Sequence, residues 1–180
     1  VSTSAATPIV TIPGQSSRVT YRDAAMSLFA NASITQSTCT GVDSPELDYT
    51  WKIYKDLIAD SSLVTTSKDP RFMKLAAYSL DAGSEYLFQV LVTVPSPAGD
   101  DTAIGWSYAS TTVLVGTAGV DTVISGGSEQ TFSSTENRII MSGTQSIDID
   151  YPDSGTSGLS FFWECEELYP TAGASCDGLT

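Results

Sequence analysis

Asp148, Asp150 and Asp153 form the tightest group of potential ligands in the chain, with Gly155 and Gly158 following at once. Closely spaced carboxylates on a flexible loop suit Ca²⁺, which collects several oxygen ligands. Strand alternation turns Asp148 and Asp150 to the same outward side, and Tyr151-Pro152 begins a turn that brings Asp153 round. The spacing is not that of an EF-hand, so the competing reading is a solvated acidic loop that keeps the protein soluble. Gly99-Asp100-Asp101 is a weaker group of the same kind. Glu164, Glu166 and Glu167 are paired carboxylates of the type a glycosidase uses, but a strand this short fixes no carboxylate separation and offers no evident cleft.

Other chemistry is excluded by what the chain lacks. It contains no His, which removes the commonest general base and zinc ligand together with every Ser-His or Cys-His nucleophile pair. An enzyme is therefore not expected. Eight Lys and Arg stand against 21 Asp and Glu for a net charge of −13, so no cationic surface exists to neutralise a phosphate backbone, and nucleic acid is not an expected partner. Three cysteines remain. Cys165 and Cys176 lie close enough to close a small loop, as a disulfide in an oxidising compartment or as two thiols in a cytosol, while Cys39 has no evident mate. Asn31-Ala32-Ser33 is a candidate N-glycosylation site. Trp106 and Tyr108, in a loop-like Gly105-Trp106-Ser107-Tyr108 setting, are candidates for a ligand platform, most plausibly for a sugar ring.

The elements that must position these residues read as strands. In 26–34, Met26, Leu28, Ala30, Ala32 and Ile34 alternate with Ser27, Phe29, Asn31 and Ser33, which buries one face and turns Asn31 outward. Tyr49, Trp51 and Ile53 alternate with Thr50 and Lys52, and Tyr86, Phe88, Val90, Val92 and Val94 with Leu87, Gln89, Leu91 and Thr93. Further strands are expected over 8–12, 63–66, 72–75 and 107–115, with turns at Pro13-Gly14, Asp81-Ala82-Gly83 and Pro95-Ser96-Pro97. Only 73–80 and 52–58 could pass for short helical turns. Ser and Thr, roughly a quarter of the residues, fit the polar faces of an extracellular β protein. The apolar runs are too short to span a bilayer, and Val1 follows no signal-like segment, so a soluble piece, mature or excised, is expected.

An internal repeat accompanies this pattern. Leu47-Asp48-Tyr49-Thr50-Trp51 returns as Leu159-Ser160-Phe161-Phe162-Trp163, 112 positions on, and 26–34 returns as 139–147, 113 positions on. About 110 residues is the size of one immunoglobulin-like sandwich, and Trp51 and Trp163 are expected in its cores. The fold predicted is all-β: tandem immunoglobulin-like sandwiches divided in Gly116-Thr117-Ala118-Gly119, with residues 1–117 a complete sandwich and 118–180 the N-terminal part of a second. Nothing after Cys165 matches 72–94 or 107–115. The second sandwich is expected to be completed by a longer chain or by strands of another subunit.

Trp163-Glu164-Cys165, preceded by Ser146-Ile147-Asp148-Ile149-Asp150 and followed by Cys176, resembles the REJ module, the receptor-for-egg-jelly region of polycystin-related surface proteins. Those modules are similar to polycystic-kidney-disease and fibronectin type III domains. In the first sandwich Tyr49-Thr50-Trp51 and Leu80-Asp81-Ala82-Gly83-Ser84-Glu85-Tyr86 resemble the Trp-bearing strand and the Leu-x-x-Gly-x-x-Tyr strand start, with Tyr86 at a tyrosine corner. Lys52-Ile53 after Trp51 departs from the Trp-x-Cys pattern. The resemblance implies a Cys165–Cys176 disulfide and a structural or adhesive, non-catalytic module at a cell surface or in an extracellular filament. Its partners would be neighbouring modules of the same chain, other extracellular proteins or glycans. A carbohydrate-binding module and the ectodomain of a polycystin-like membrane protein are the alternatives.

Overall fold

The computed structural model describes residues 7–34, 46–96, 103–133, 138–169 and 172–176. These form β-strands with a single 3-10 turn and no α-helix, and the chain divides into two compact units, residues 1–118 and 119–180. The expectations on Cys39 and on Gly99-Asp100-Asp101 lie outside the described residues.

The first unit is built on a five-stranded sheet. Its strands are β2 (Ser17–Tyr21), β5 (Asp48–Lys55), β6 (Ile58–Ala59), β8 (Glu85–Pro95) and β9 (Ala103–Gly116), in the order β2-β9-β8-β5-β6. β2 runs parallel to β9, and every other neighbouring pair is antiparallel. Two further pairs pack against the sheet: β1 (Pro8–Thr11) with β4 (Asn31–Ile34), and β3 (Met26–Phe29) with β7 (Phe72–Leu75). β3 and β4 are halves of one run interrupted at Ala30, whose backbone N–H still reaches Arg71 O at 2.9 Å.

Alternation fixes which side chains meet between these layers. Tyr86, Phe88, Val90, Val92 and Val94 of β8 are all buried, as are Leu28, Ala30, Met73 and Leu75 opposite them. Leu28, Ile53, Leu80, Tyr86, Phe88 and Val113 share one apolar cluster; Val10, Ala30, Val90 and Val92 share the other. Trp51 packs against both and donates its indole N–H to Pro70 O at 3.0 Å. Burying side chains of this size contributes about 1.5–3 kcal/mol each, which is what holds the layers together.

The alternation in 26–34, the inward Tyr49, Trp51 and Ile53, and the strand over 72–75 agree with the sequence pattern. Three features differ. Residues 63–66 are not a strand: Thr65 and Thr66 lie along β7 with their hydroxyls reaching Phe72 O and Lys74 O, so most of the pairing runs through side chains. β2 was not expected, because its Val19 and Tyr21 face outward and carry no core signal. Neither 73–80 nor 52–58 is helical.

Chain reversal before β2 follows from local chemistry. Pro13 ends β1's run, Gly14 takes φ +105°, and Arg18 clamps the turn by donating to Pro13 O at 2.6 Å and Gln15 O at 3.1 Å. A Cβ on Gly14 would lie 3.1 Å from the Arg18 guanidinium, so glycine serves both the backbone angle and the clamp. The buried Thr111 hydroxyl then donates to Ser16 O at 3.1 Å, tying the turn to β9.

The second unit is sparse. β10 (Val120–Asp121) pairs with β11 (Ile147–Asp148), a 3-10 turn spans Pro152–Ser154, and an isolated bridge joins Glu166 to Ser175. The strand expected over 159–163 is not formed, and of 139–147 only Ile147 lies in a strand. Trp163 is 47% exposed and Phe162 84%, against the expected core position of Trp163. The physical reason is the absence, among the described residues, of a strand to face them. Phe161 and Trp163 lie instead over Gly143, where an added Cβ would come within 2.7 Å of the Phe161 ring.

Candidate functional site

The most tightly coupled polar cluster lies where the chain enters β8. The Asp81-Ala82-Gly83 turn precedes the strand with Gly83 at φ +73°, and the ring of Tyr86 is buried with its hydroxyl pointing back at that turn. Asp81 donates its backbone N–H to the Tyr86 hydroxyl at 3.1 Å; the hydroxyl in turn lies 3.5 Å from the Asp81 carboxylate. That carboxylate accepts from Lys55 Nζ at 2.7 Å and from the Arg22 guanidinium at 3.4 Å. Arg22 also donates to Leu80 O at 2.6 Å.

Charge at this corner is balanced by contact. The hydrogen bond from Lys55, aided by Arg22, holds the Asp81 carboxyl below the ordinary carboxylate range, and the same bond raises Lys55. Burial pushes the Tyr86 phenol up. A phenol that stays protonated and bonds a backbone N–H is a tyrosine corner, holding the strand start in place.

The residues named from sequence are distributed as follows. Asn31 and Ser33 are exposed on β4, with Ala32 between them and Ala30 just before them turned to the core. Trp106 and Tyr108 lie within β9 rather than in a loop, both outward and 59% and 57% exposed. They flank Ser107 on the outer face of the five-stranded sheet, where Trp106 pairs with Thr93 and Tyr108 with Leu91 across β8. Cys165 and Cys176 are joined by a disulfide with a Cα–Cα distance of 5.7 Å. The loop it closes is held by Glu167 N–H to Ala174 O at 2.8 Å and Gly173 N–H to Glu167 O at 2.9 Å. Glu164 and Glu166 are exposed and Glu167 is half-buried in that loop.

Asp148, Asp150 and Asp153 do not converge. β11 stops at Asp148, so the alternation that would have set Asp148 and Asp150 on one outward face is broken. Asp148 Oδ1 accepts the Asp150 backbone N–H at 2.9 Å, Asp150 is buried, and Asp153 is exposed in the 3-10 turn. Among the described residues no group of three His, Cys, Asp or Glu side chains is placed to hold a metal ion.

The corner at Tyr86 rested on a sequence motif. Arg22 and Lys55, its cationic partners, carried no signal of their own: both lie in otherwise ordinary strand and turn segments, and only the fold brings them to Asp81 across 59 and 26 residues. Among the described residues no helix is long and apolar enough to cross a membrane.

An all-β chain with a tyrosine corner and a disulfide-closed loop belongs to the class of small β modules. Residues 32–176 match the family model of the REJ domain, and the chain belongs to that family. No curated protein and no solved structure matches it.

Proposed function

We propose that the chain is a non-catalytic structural and adhesive part of a large extracellular or cell-surface protein, built as a tandem array. Residues 1–118 form an immunoglobulin-like sandwich of the polycystic-kidney-disease or fibronectin III type, and 119–180 form the N-terminal part of a second. The observation that carries this reading is the contrast between repeats. Trp51 packs against both core clusters of the first unit, while Trp163, at the equivalent repeat position, lies open beside Phe161 and Phe162. A groove of about 1000 Å³, lined by Val120, Ile124, Ser146, Leu159, Phe161 and Trp163, is the unclosed core that such a half-built sandwich leaves. The disulfide supports an oxidising compartment.

Force resistance follows from the ladders. Tension between the ends of the first unit enters near β2 and leaves at the end of β9, so their parallel pairing over Ser17–Tyr21 is loaded in shear and its bonds must break together. Membership of the REJ family also favours a second reading, in which the module belongs to the ectodomain of a polycystin-like membrane protein and relays force or binding to a distant pore.

The test uses any longer form of the protein that runs past Thr180. Hydrogen exchange at residues 159–165 and Trp163 fluorescence are then compared with those of the present chain. The reading expects protection of these amides and a blue shift as Trp163 is covered. Unchanged exchange and emission would overturn the half-sandwich reading.

A further inference from the structure

On one side the five-stranded sheet ends in a strand that is only partly covered. β6 pairs with β5 at Tyr54 and Lys55, and Asp60 donates its backbone N–H to Ile53 O at 2.9 Å; before Ile53, no described strand lies beside β5 on this side. Because Ile53 O points to this side, alternation along the strand directs the N–H and C=O groups of Trp51 and Tyr49 the same way, while those of Thr50 and Lys52 face β8. Among the described residues nothing bonds the edge-directed backbone groups of Tyr49 and Trp51. Unpaired strand groups of this kind are a template for an added strand.

A groove of about 710 Å³ runs along that edge. Residues 49–54 of β5 all line it, and since successive side chains point to opposite faces, a wall that includes every one of them is the edge of the strand and not one of its faces. Leu63, Val64 and Thr65 stand on the other side, and the buried Ile53 and Met73 close the inner end. Charge here runs against the chain as a whole. Net charge is −13, yet residues 52–74 hold five of the eight cations and only three of the 21 acids. Asp60 is the one acid among the described lining residues, and its carboxylate is occupied by the Ser62 N–H at 2.9 Å and the Ser62 hydroxyl at 2.5 Å. Lys52 on β5 and Lys68 across from it are exposed and form no ion pair among the described residues. Lysines at a sheet edge repel basic strands and discourage purely apolar ones, which leaves an acidic strand as the kind admitted.

We infer that this groove docks an extended acidic segment of a partner protein, added as a further strand along residues 49–53 of β5. The backbone of the segment pairs with the free N–H and C=O groups of Tyr49 and Trp51, which supplies affinity without regard to sequence. Its alternate side chains enter the groove over Leu63 and Met73 and are apolar, and its carboxylates meet Lys52 and Lys68. Five residues at about 3.4 Å each give an edge of about 17 Å, so a segment of five to seven residues, roughly, fills it. The inference rests on the adhesive part of the reading above and gives it a site and a partner chemistry. It lies wholly within the first unit, so its failure leaves the tandem-array part intact, which is tested separately at residues 159–165.

The experiment follows the backbone amide signals of the isotope-labelled 180-residue chain as the peptide Glu-Val-Asp-Val-Glu-Val-Asp is added up to about 1 mM, with Lys-Val-Lys-Val-Lys-Val-Lys as the control. Expected are saturable shifts centred on residues 49–53, slowed hydrogen exchange at the Tyr49 and Trp51 amides, and at least tenfold weaker binding of the basic peptide. The double variant Lys52→Glu, Lys68→Glu, whose fold is checked by circular dichroism and its thermal midpoint, should bind the acidic peptide at least tenfold more weakly. Two versions of the acidic peptide, N-methylated at alternate residues in opposite phase, separate strand addition from charge attraction alone. An added strand uses every second N–H, so the two phases should differ at least tenfold in affinity. Absence of saturable binding, shifts that map away from the β5 edge, equal affinity of the two methylated phases, or undiminished binding in the folded double variant would each overturn the inference. So would Tyr49 and Trp51 amides already protected in the free chain, since the chain would then cover the edge itself.

Discussion

Replacing Tyr86 with Phe isolates the hydroxyl at the start of β8. The ring is 1% exposed and stays so in the variant, keeping its place in the apolar cluster and beside Phe88 at a centroid distance of 6.5 Å. What is lost is the acceptor for the Asp81 backbone N–H at 3.1 Å and the weaker approach to the Asp81 carboxylate. A neutral hydrogen bond contributes a net 0.5–1.5 kcal/mol, and stranding a buried donor costs about 1–3 kcal/mol. The Asp81 side chain is 52% exposed, so water reaches part of the turn and reduces the second cost. The expected destabilisation is therefore about 1–2 kcal/mol, which lowers the thermal midpoint of a unit this size by roughly 4–8 °C. Urea titration followed by far-UV circular dichroism measures it, with Tyr54→Phe as the control. Tyr54 is half-buried on β5 and its hydroxyl bonds no side chain or backbone group among the described residues, so it should matter little. A Tyr86→Phe effect equal to that of the control would refute the assignment of the hydroxyl as the tie that holds the strand start.

Four further outcomes are expected. Leu57 is 86% exposed at φ 67° in the two-residue turn between β5 and β6, so Leu57→Gly removes a left-handed strain and should raise stability by about 0.5–1 kcal/mol in the same titration; a loss would show that Leu57 makes a contact worth more than its strain. Asp81 has its folded-state pKa lowered chiefly by the Lys55 hydrogen bond, so its contribution is complete above the unfolded-chain value of about 3.9 and disappears as pH falls through the folded value. Lys55→Met should flatten that acid limb of the urea midpoint, and an unchanged limb would remove the pair from the account. Protein from a glycosylating eukaryotic source should carry a glycan at Asn31, seen as a mass shift of that peptide on glycosidase treatment; an unmodified peptide refutes its use. Reduction should destabilise the second unit by about 3 kcal/mol through the loop between Cys165 and Cys176, while unfolding of the first unit, followed by exchange at β8, stays in place.

The parts of the first unit that could be read from sequence are those whose burial is one-sided. In β8 five consecutive inward positions are apolar, and all five are buried. β2 went unread for the complementary reason. Its outward Val19 and Tyr21 are the apolar ones, while Arg18 and Thr20 are half-buried, which reverses the pattern that marks a core strand. Its place is set by pairing with β9 and by the Arg18 clamp on the preceding turn, and neither is a periodic signal. The ligand candidates Trp106 and Tyr108 were likewise legible as residues but not as a surface. Leu91 lies 17 residues before Tyr108 in sequence, and only the pairing of β8 with β9 sets it opposite that ring.

The second unit shows the other side of the same physics. Alternation in 139–147 and 159–163 repeats that of 26–34 and 47–51, but a pattern specifies which face a strand would bury and not that a partner exists to bury it. In the first unit Tyr49, Trp51 and Ile53 are fixed because β5 pairs with β8 over eight residues and closes onto the β3-β7 pair. In the second, Phe161 and Trp163 have the groove beside Gly143 and no described strand across it. The same shortage explains the aspartates. An outward pair at Asp148 and Asp150 requires β11 to continue to residue 150, and without neighbours on both sides the strand ends two residues earlier, where Asp148 turns its carboxylate onto the Asp150 N–H. Among the described residues β10 is the one strand paired with β11, and no ladder carries β11 on to residue 150. A change that supplies a partner should therefore lengthen β11 and bury Trp163 together, because both respond to the same unpaired edge.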